Sequence, residues 1–361
     1  MRICLLAHAG SIHTRRWARW FARAGHEVHV VSLTVAEGEE LYRVHVLGNR
    51  NTVHQARTNW SYLRLLPALR RRIREIRPDI VNAHFLTSNG LFGALVRPRG
   101  VPFVISVHGS DVLTIPRRSP WMRPPLRWAL GAADLVTAVS SQTAEAVRDL
   151  AGARIPLESL QYGVDRSIFT PGLPADERPP IVLSTRRLEE FARIDLLLEA
   201  AALLERSGSP LEVVVAGEGG LTSSLEEKAR GLRRVRFIGN LSETDVAKHL
   251  RESALYVSLS RSDGASLSLL EAMASGAYPI VSDIPANREW IASGRNGAVV
   301  DDLSAAGIAE VLERGWCDTE ARECAARENV RMVAERADRE VNMARIEDLF
   351  LRLVRDSARG A

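Results

Sequence analysis

Short apolar runs rich in β-branched residues recur along this chain between longer segments of helical period, and they come in two series. The first is ICLLA, EVHVVSL, DIVNAHF, PFVISVHG and DLVTAVS; the second is IVLST, LEVVVAG, VRFIG, ALYVSL, YPIVSD and GAVV. Runs that stay apolar at successive positions suit strands covered on both faces, and the intervening helices supply that cover. Each series therefore predicts an α/β layer with a doubly wound parallel sheet. A chain of 361 residues also exceeds the roughly 250 to 300 at which single cores divide. Between the series lies RSIFTPGLPADERPP, Arg166 to Pro180, whose prolines and glycine read as a connection. The expected organisation is a Rossmann-like domain over 1–167, a linker over 168–180, a second Rossmann-like domain over 181–335 and a C-terminal helix over 336–361. In that helix Val341, Ile346, Leu349, Phe350, Leu353 and Val354 recur near a 3.6-residue period. With no strand after it, it is expected to pack back across the domain junction.

Composition narrows the class. The chain is 46% hydrophobic and 25% charged, as ordinary globular proteins are. Cys4, Cys317 and Cys324 form no C-x-x-C or Cys/His ligand pattern, which points to a reducing compartment and against a structural zinc. The N-terminal MRICLLAHAG is too short an apolar run for a signal peptide, and no stretch approaches the roughly 18 apolar residues of a membrane span. A cytoplasmic location follows as the expectation, with the inner membrane face open to it. The formal charge of +4 is modest, and Lys228 and Lys248 are the only lysines.

The stretch SRSDGASLSLLEAMASG, Ser260 to Gly276, puts two acids eight residues apart. In one continuous helix Asp263 and Glu271 would lie about 80° apart in rotation and about 12 Å apart along the axis, too far for a shared site. If Gly264 closes a loop and the helix begins near Ser266 or Leu267, Asp263 stands on the rim and Glu271 one turn inside. The first-turn amides then offer an anion site that Gly264, Ala265, Ser266 and Ser268 leave open to close approach. A carboxylate one turn in suits adjacent sugar hydroxyls, so together the parts describe a nucleotide-sugar pocket. An N-capped core helix with two solvated acids explains the same residues equally well.

SRSDGASLSLLEAMASGAYPIVSDIPANREWI resembles the Glu-x7-Glu segment of retaining GT-B glycosyltransferases of family 4, which use sugar nucleotides. The resemblance extends through SIHTRRWARWFARAGHEVHVVS, VNAHFLTSNGLFGAL, VISVHGSDV and LQYGVD, then STRRLEEFARIDLLLEA, VVVAGEG and VRFIGNLSETDVAKHL, in the family's order. It implies two Rossmann-like domains facing a central cleft, the first for the acceptor and the second for the donor. The implied reaction is retaining and metal-independent, with no cofactor beyond the donor, a UDP-, GDP- or ADP-linked sugar. The implied acceptor is a glycan, a lipid-linked acceptor or a small molecule.

The resemblance also implies site residues. Glu271 would hold the donor ribose; Asp263, where the family has glutamate, would lie near the transferred sugar; the amides of Ala265, Ser266, Leu267 and Ser268 would lie against sugar and diphosphate. The phosphate arginine falls on Arg186 or Arg187, and the family's lysine is absent, with Ala192 or Arg193 in its place. His108 is assigned beside the donor sugar with Gly109 next to it, and Gly10 and Ser11 near the diphosphate or acceptor. Gly217 and Gly219 make a tight strand-to-helix turn, and Ile238 and Gly239 of IGNL frame the base. His13 and His84 are acceptor-side candidates. Asp111 suits a turn cap as well as a substrate contact, and Ser242 to Asp245 fit a helix cap. A catalytically silent relative that binds nucleotide or glycan, and a sugar-nucleotide epimerase, are the alternatives. The missing lysine and the shorter acid motivate the former.

Two basic segments raise the membrane. NWSYLRLLPALRRRIREIRPD interleaves Trp60 and leucines with Arg64, Arg70, Arg71, Arg72 and Arg74, and RRSPWMRPPLRW adds Trp121 and Trp128 among further arginines. Such a composition suits anionic lipid; the first segment equally suits an amphipathic helix with a solvated outer face. No nucleic-acid module is present.

Overall fold

The computed structural model describes residues 1–35, 40–50, 60–152 and 155–359. The chain divides into two units: Met1–Gln161 with the residues from Met343 onward, and Tyr162–Asn342.

The first unit is built on β1 (Arg2–Leu6), β2 (Glu27–Thr34), β3 (Arg43–Arg50), β4 (Ile80–His84), β5 (Phe103–Val107), β6 (Leu135–Ala138) and β7 (Leu157–Ser159). Among the described residues these form one sheet in the order β3-β2-β1-β4-β5-β6-β7, with every pair parallel. The second unit contains β8 (Ile181–Ser184), β9 (Glu212–Val215), β10 (Val235–Phe237), β11 (Leu255–Ser258), β12 (Tyr278–Ser282) and β13 (Ala298–Val300) in the order β10-β9-β8-β11-β12-β13, again all parallel. The central strands are buried along their length apart from Arg2 at the start of β1, as their unbroken apolar runs require. Strand order reverses between β1 and β4 in one sheet and between β8 and β11 in the other. At such a switch point the adjoining connections leave to opposite faces, and the carboxyl ends of the strands border a ligand crevice.

The segment expected as a linker belongs to the second unit and is packed into it. Phe169 is buried, and Arg178, 5% exposed, donates to the carbonyls of Leu173 (2.8 Å), Leu250 (3.3 Å), Ser253 (2.8 Å) and Ser275 (2.8 Å). Turn-rich composition signalled the irregular backbone there but not its anchorage. The final helix, Arg339–Arg359, buries Met343, Ile346 and Phe350, with the Phe350 ring stacked 5.5 Å from Phe21 and Glu347 hydrogen-bonded to His26 at 2.6 Å. Val341, expected on its apolar face, is half exposed.

Candidate active site

In the second unit, the loop after β8 and the loop after β11 leave from the two sides of the switch point. Arg186 comes from the first. Its Nη2 donates to Asp263 Oδ2 at 2.8 Å, and its Nη1 donates to Ser268 Oγ at 3.0 Å and to Ser266 Oγ at 3.4 Å. The helix Leu267–Ala274 begins here, and its N-cap residue Ser266 makes no capping hydrogen bond. Other helices of the same chain are capped by their preceding residues, as at Ser140, Ser242, Ser304 and Asp318. The hydroxyl that would cap this one is turned to a guanidinium instead.

Behind the cluster, the fully buried Tyr256 of β11 donates to Ser268 Oγ at 2.8 Å. Burial works against the charge of Arg186, but the carboxylate of Asp263 and the phenol of Tyr256 outweigh it and raise the guanidinium pKa. Arg186 therefore stays charged in a nearly enclosed place. Its Nε and the hydroxyls of Ser184 and Thr185 just before it have no hydrogen-bond partner among the described residues. Buried polar atoms left unsatisfied in this way mark a place for water or a ligand group.

Glycines hold the Arg186 loop from behind. Gly217 has φ +146°, and a Cβ there would stand 2.5 Å from the Arg186 carbonyl oxygen; one at Gly219 would stand 2.3 Å from that of Leu188. The Gly217 amide donates to the Gly239 carbonyl at 2.7 Å, and Ile238 donates to Val215 at 3.0 Å, tying the loop after β10 to the same turn. Gly217 and Gly219 thus position Arg186 by close approach. Ser242 caps the helix Glu243–Glu252 through the Asp245 amide at 3.2 Å, the bland role the sequence allowed.

The other predicted residues divide. Glu271 is 7% exposed and one turn inside the helix, with Gly264, Ser266 and Leu267 buried ahead of it. Arg187 is not in the cluster: its side chain is 70% exposed and meets Glu189 at 3.5 Å. Arg193 adopts the left-handed region at φ 54°, and burial followed by the positive charge of Arg261 lowers its pKa. Arg261, which sequence reasoning did not single out, is brought alongside by its amide, which donates to the Phe191 carbonyl at 2.8 Å.

In the first unit the carboxyl end of the sheet gathers histidines. The rings of His84 and His108 are 5.1 Å apart and those of His13 and His108 6.3 Å apart. Phe85, at φ 69°, stacks on His108 at 4.4 Å. A non-glycine residue with positive φ is a strained position of the kind kept at functional sites, and nothing in the sequence announced it. His84 is 1% exposed, lies edge-on to Trp17 at 4.7 Å and has neither ring nitrogen hydrogen-bonded among the described residues. Burial, aided by the charge of His13, pushes its pKa down to about 3. Burial, then His84 and His13, likewise holds His108 well below the usual range. Both imidazoles are neutral at pH 7.

Asp111 accepts from the amides of Leu86 (2.8 Å), Gly109 (2.9 Å) and His108 (3.2 Å), so it fixes the loop that carries His108. Gly10 lies in the loop after β1 with its amide on His8 Nδ1 at 3.0 Å, and Ser11 precedes the helix Ile12–Arg23 without capping it by its side chain.

The basic segment ahead of β4 forms the helix Leu66–Ile76, with Leu69, Ile73 and Ile76 in the core and Arg70, Arg71 and Arg74 outside. It is an amphipathic helix whose arginines lie on the outer face, while Leu69, Ile73 and Ile76 are held in the core. Asn59 and the side chain of Trp60 lie outside the described residues. Trp121 and Trp128 are half exposed. Among the described residues no helix is long and apolar enough to cross a membrane.

Two doubly wound parallel sheets define a GT-B architecture. Residues 2–140 match the family described as "Glycosyl transferase 4-like" and residues 165–332 match "Glycosyl transferases group 1". The chain belongs to the GT-B glycosyltransferases of this group 1 type. TuaC of Bacillus subtilis, named as a teichuronic acid biosynthesis glycosyltransferase, is 27% identical over 254 residues, covering 67% of this chain and 62% of that protein. The chain spans less than two thirds of the length of the curated relatives it matches, 62%, 66% and 55% for three of them. Among solved structures, the sucrose-phosphate synthase of Thermosynechococcus elongatus superposes with a TM-score of 0.83 at 18% identity, over 98% of this chain and 99% of that one. Anabaena HepE in complex with UDP-glucose superposes at 0.77 and 17% identity, over 97% and 99%.

Proposed function

We propose that the protein is a retaining, metal-independent glycosyltransferase that moves a sugar from a nucleoside diphosphate sugar to a hydroxyl of a glycan, a lipid-linked acceptor or a small molecule. The observation that carries this reading is the Arg186 cluster: a permanently charged fork, an uncapped helix start and two unsatisfied hydroxyls, all at the switch point of one sheet. Family membership and a structural relative crystallised with UDP-glucose support the donor class.

The chemistry asked of these groups is electrostatic. As the bond from the anomeric carbon to the phosphate oxygen breaks, charge collects on the diphosphate. A guanidinium that needs no reorganisation stabilises that charge most in a dry setting. Arg186 already spends Nη2 on Asp263, so a diphosphate takes Nε and competes with Ser266 and Ser268 for Nη1. The freed helix amides add to the hold. Asp263 and Glu271 are assigned to sugar and ribose hydroxyls, and His108, neutral, to a sugar hydroxyl. The acceptor oxygen bonds to the anomeric carbon on the face the diphosphate leaves, and its proton passes to a phosphate oxygen.

Incubation with UDP-, GDP- and ADP-sugars, with and without acceptor hydroxyls, tests this by nucleotide release. Acceptor-dependent release that falls strongly in both Arg186→Ala and Glu271→Ala is expected; unchanged rates in both remove the proposed pocket. A second reading, a binding protein without turnover, is favoured by the Asp263 carboxylate already paired to Arg186 and by the absence of a lysine at Ala192 and Arg193. Nucleotide binding with no release from any donor would select it.

A further inference from the structure

The amino-terminal edge of the first sheet, the end away from His84 and His108, carries a second charged feature. β1, β2 and β3 start there at Arg2, Glu27 and Arg43, beside the carboxyl end of the helix Leu66–Ile76. Together they line a cavity of about 860 Å3 whose walls include Arg2, Arg43, Arg70, Arg71, Arg74 and Arg77, against two carboxylates, Glu27 and Glu75.

Both carboxylates are already engaged. Glu27 meets Arg2 at 2.8 Å, His29 at 3.0 Å and Arg43 at 3.6 Å, while Glu75 meets Arg72 at 3.0 Å and Arg71 at 3.6 Å. Arg70, Arg74 and Arg77 have no carboxylate within ion-pair distance among the described residues. Arg70 and Arg74, four residues apart, share one face of the helix about 6 Å apart along its axis, and Arg77, left-handed at φ 50° just past the helix end, lines the same hollow. Of the carbonyls at the helix end, which would repel an anion, that of Ile73 accepts from the Arg77 amide (3.1 Å), and Arg2 Nη1 donates to those of Ile76 (3.0 Å) and Arg77 (3.2 Å). So many like charges around one hollow repel each other, and an anion relieves that repulsion.

We propose that this groove binds a soluble, multiply phosphorylated ligand, a short polyphosphate-like chain lying along Arg70, Arg74 and Arg77. Guanidinium forks match phosphate oxygens two at a time, and a row of them favours several phosphates in line over one. The hollow is concave, and Leu69, Ile73 and Ile76 are turned into the core. A narrow chain fits that shape, whereas a flat bilayer neither enters it nor finds an apolar anchor there. The site is separate from the histidine end of the same sheet by the length of β1, about 17 Å for five residues, and it does not depend on the glycosyl transfer proposed above.

Calorimetric titration with inorganic tripolyphosphate at low salt tests it, using the full chain and its Arg70→Ser/Arg74→Ser, Arg43→Ser and Arg186→Ala variants. The double variant should bind at least tenfold more weakly with an unchanged melting temperature, and Arg186→Ala should retain the groove's binding. Salt should weaken that binding steeply. If the double variant fails to fold, weakened binding in Arg43→Ser, from the opposite wall, carries the same reading. Equal binding in the wild type and the groove variants overturns the proposal, as does loss confined to Arg186→Ala. Co-sedimentation with phosphatidylglycerol vesicles, or tight binding of a single-stranded oligonucleotide, without affinity for tripolyphosphate also overturns it.

Discussion

His84 makes the stability of the first unit depend on pH in a calculable way. Its imidazole is buried, has no hydrogen-bond partner among the described residues, and is pushed by burial down to about 3 in the folded protein, against an ordinary 6.5. Between those values the unfolded chain holds a proton that the native protein does not. Stability is therefore fully present above pH 6.5 and is lost as pH falls toward 3. At pH 5 the unfolded imidazole is about 97% protonated and the native one about 1%, so lowering pH from 7.5 to 5 removes about 2 kcal/mol through this residue alone. His84→Phe keeps a ring against Trp17 and abolishes the titration. At pH 7.5 it should lie within about 1 kcal/mol of the wild type, since it also removes an unsatisfied donor. Urea unfolding at the two pH values should give a variant that loses about 2 kcal/mol less than the wild type. Equal losses in the two proteins, or a histidine Cε1 proton of the native protein assigned to His84 and titrating near 6.5, would refute the reasoning.

Further outcomes follow from the second unit. Gly217→Ala, with its Cβ 2.5 Å from the Arg186 carbonyl at φ +146°, should cost more than about 1 kcal/mol by thermal unfolding. It should also lower nucleotide affinity by displacing the Arg186 loop. Arg178→Ala strands four backbone carbonyls and should destabilise by about 3 kcal/mol or more in urea. Arg178→Lys should rescue little of this, because one ammonium does not reproduce the planar fork. Arg187→Ala, on an exposed side chain, should change stability by less than about 0.5 kcal/mol and leave turnover within threefold.

Much of the fold was legible because buried parallel strands are written as unbroken apolar runs. Eleven such runs correspond to β1, β2, β4 to β6 and β8 to β13. The two unread strands are both at an edge of the first sheet. β3, RVHVLGNR, has polar residues interleaved with valines, and β7, LES, is three residues long and mostly polar. An edge strand needs cover on fewer sides, so its sequence carries less of the signal. The helix start at Leu267 and the place of Glu271 were readable from small residues and helical period. The choice between Arg186 and Arg187 was not, because adjacent residues leave a loop in opposite directions and only the path fixed by Gly217 and Gly219 decides it. Phe85 and Arg261 escaped for the same reason, since a backbone angle and a loop-to-loop hydrogen bond have no residue-type signature.

The central claim is that Arg186, at an uncapped helix start, grips a nucleoside diphosphate. Thermal shift with UDP, GDP and ADP measures it most directly, because a ligand at 100 times its dissociation constant stabilises by about 2.7 kcal/mol. The account predicts such a shift with at least one of the three in the wild type and in Arg187→Ala, and its loss in Arg186→Ala at the same concentration. A shift of equal size in Arg186→Ala would contradict it.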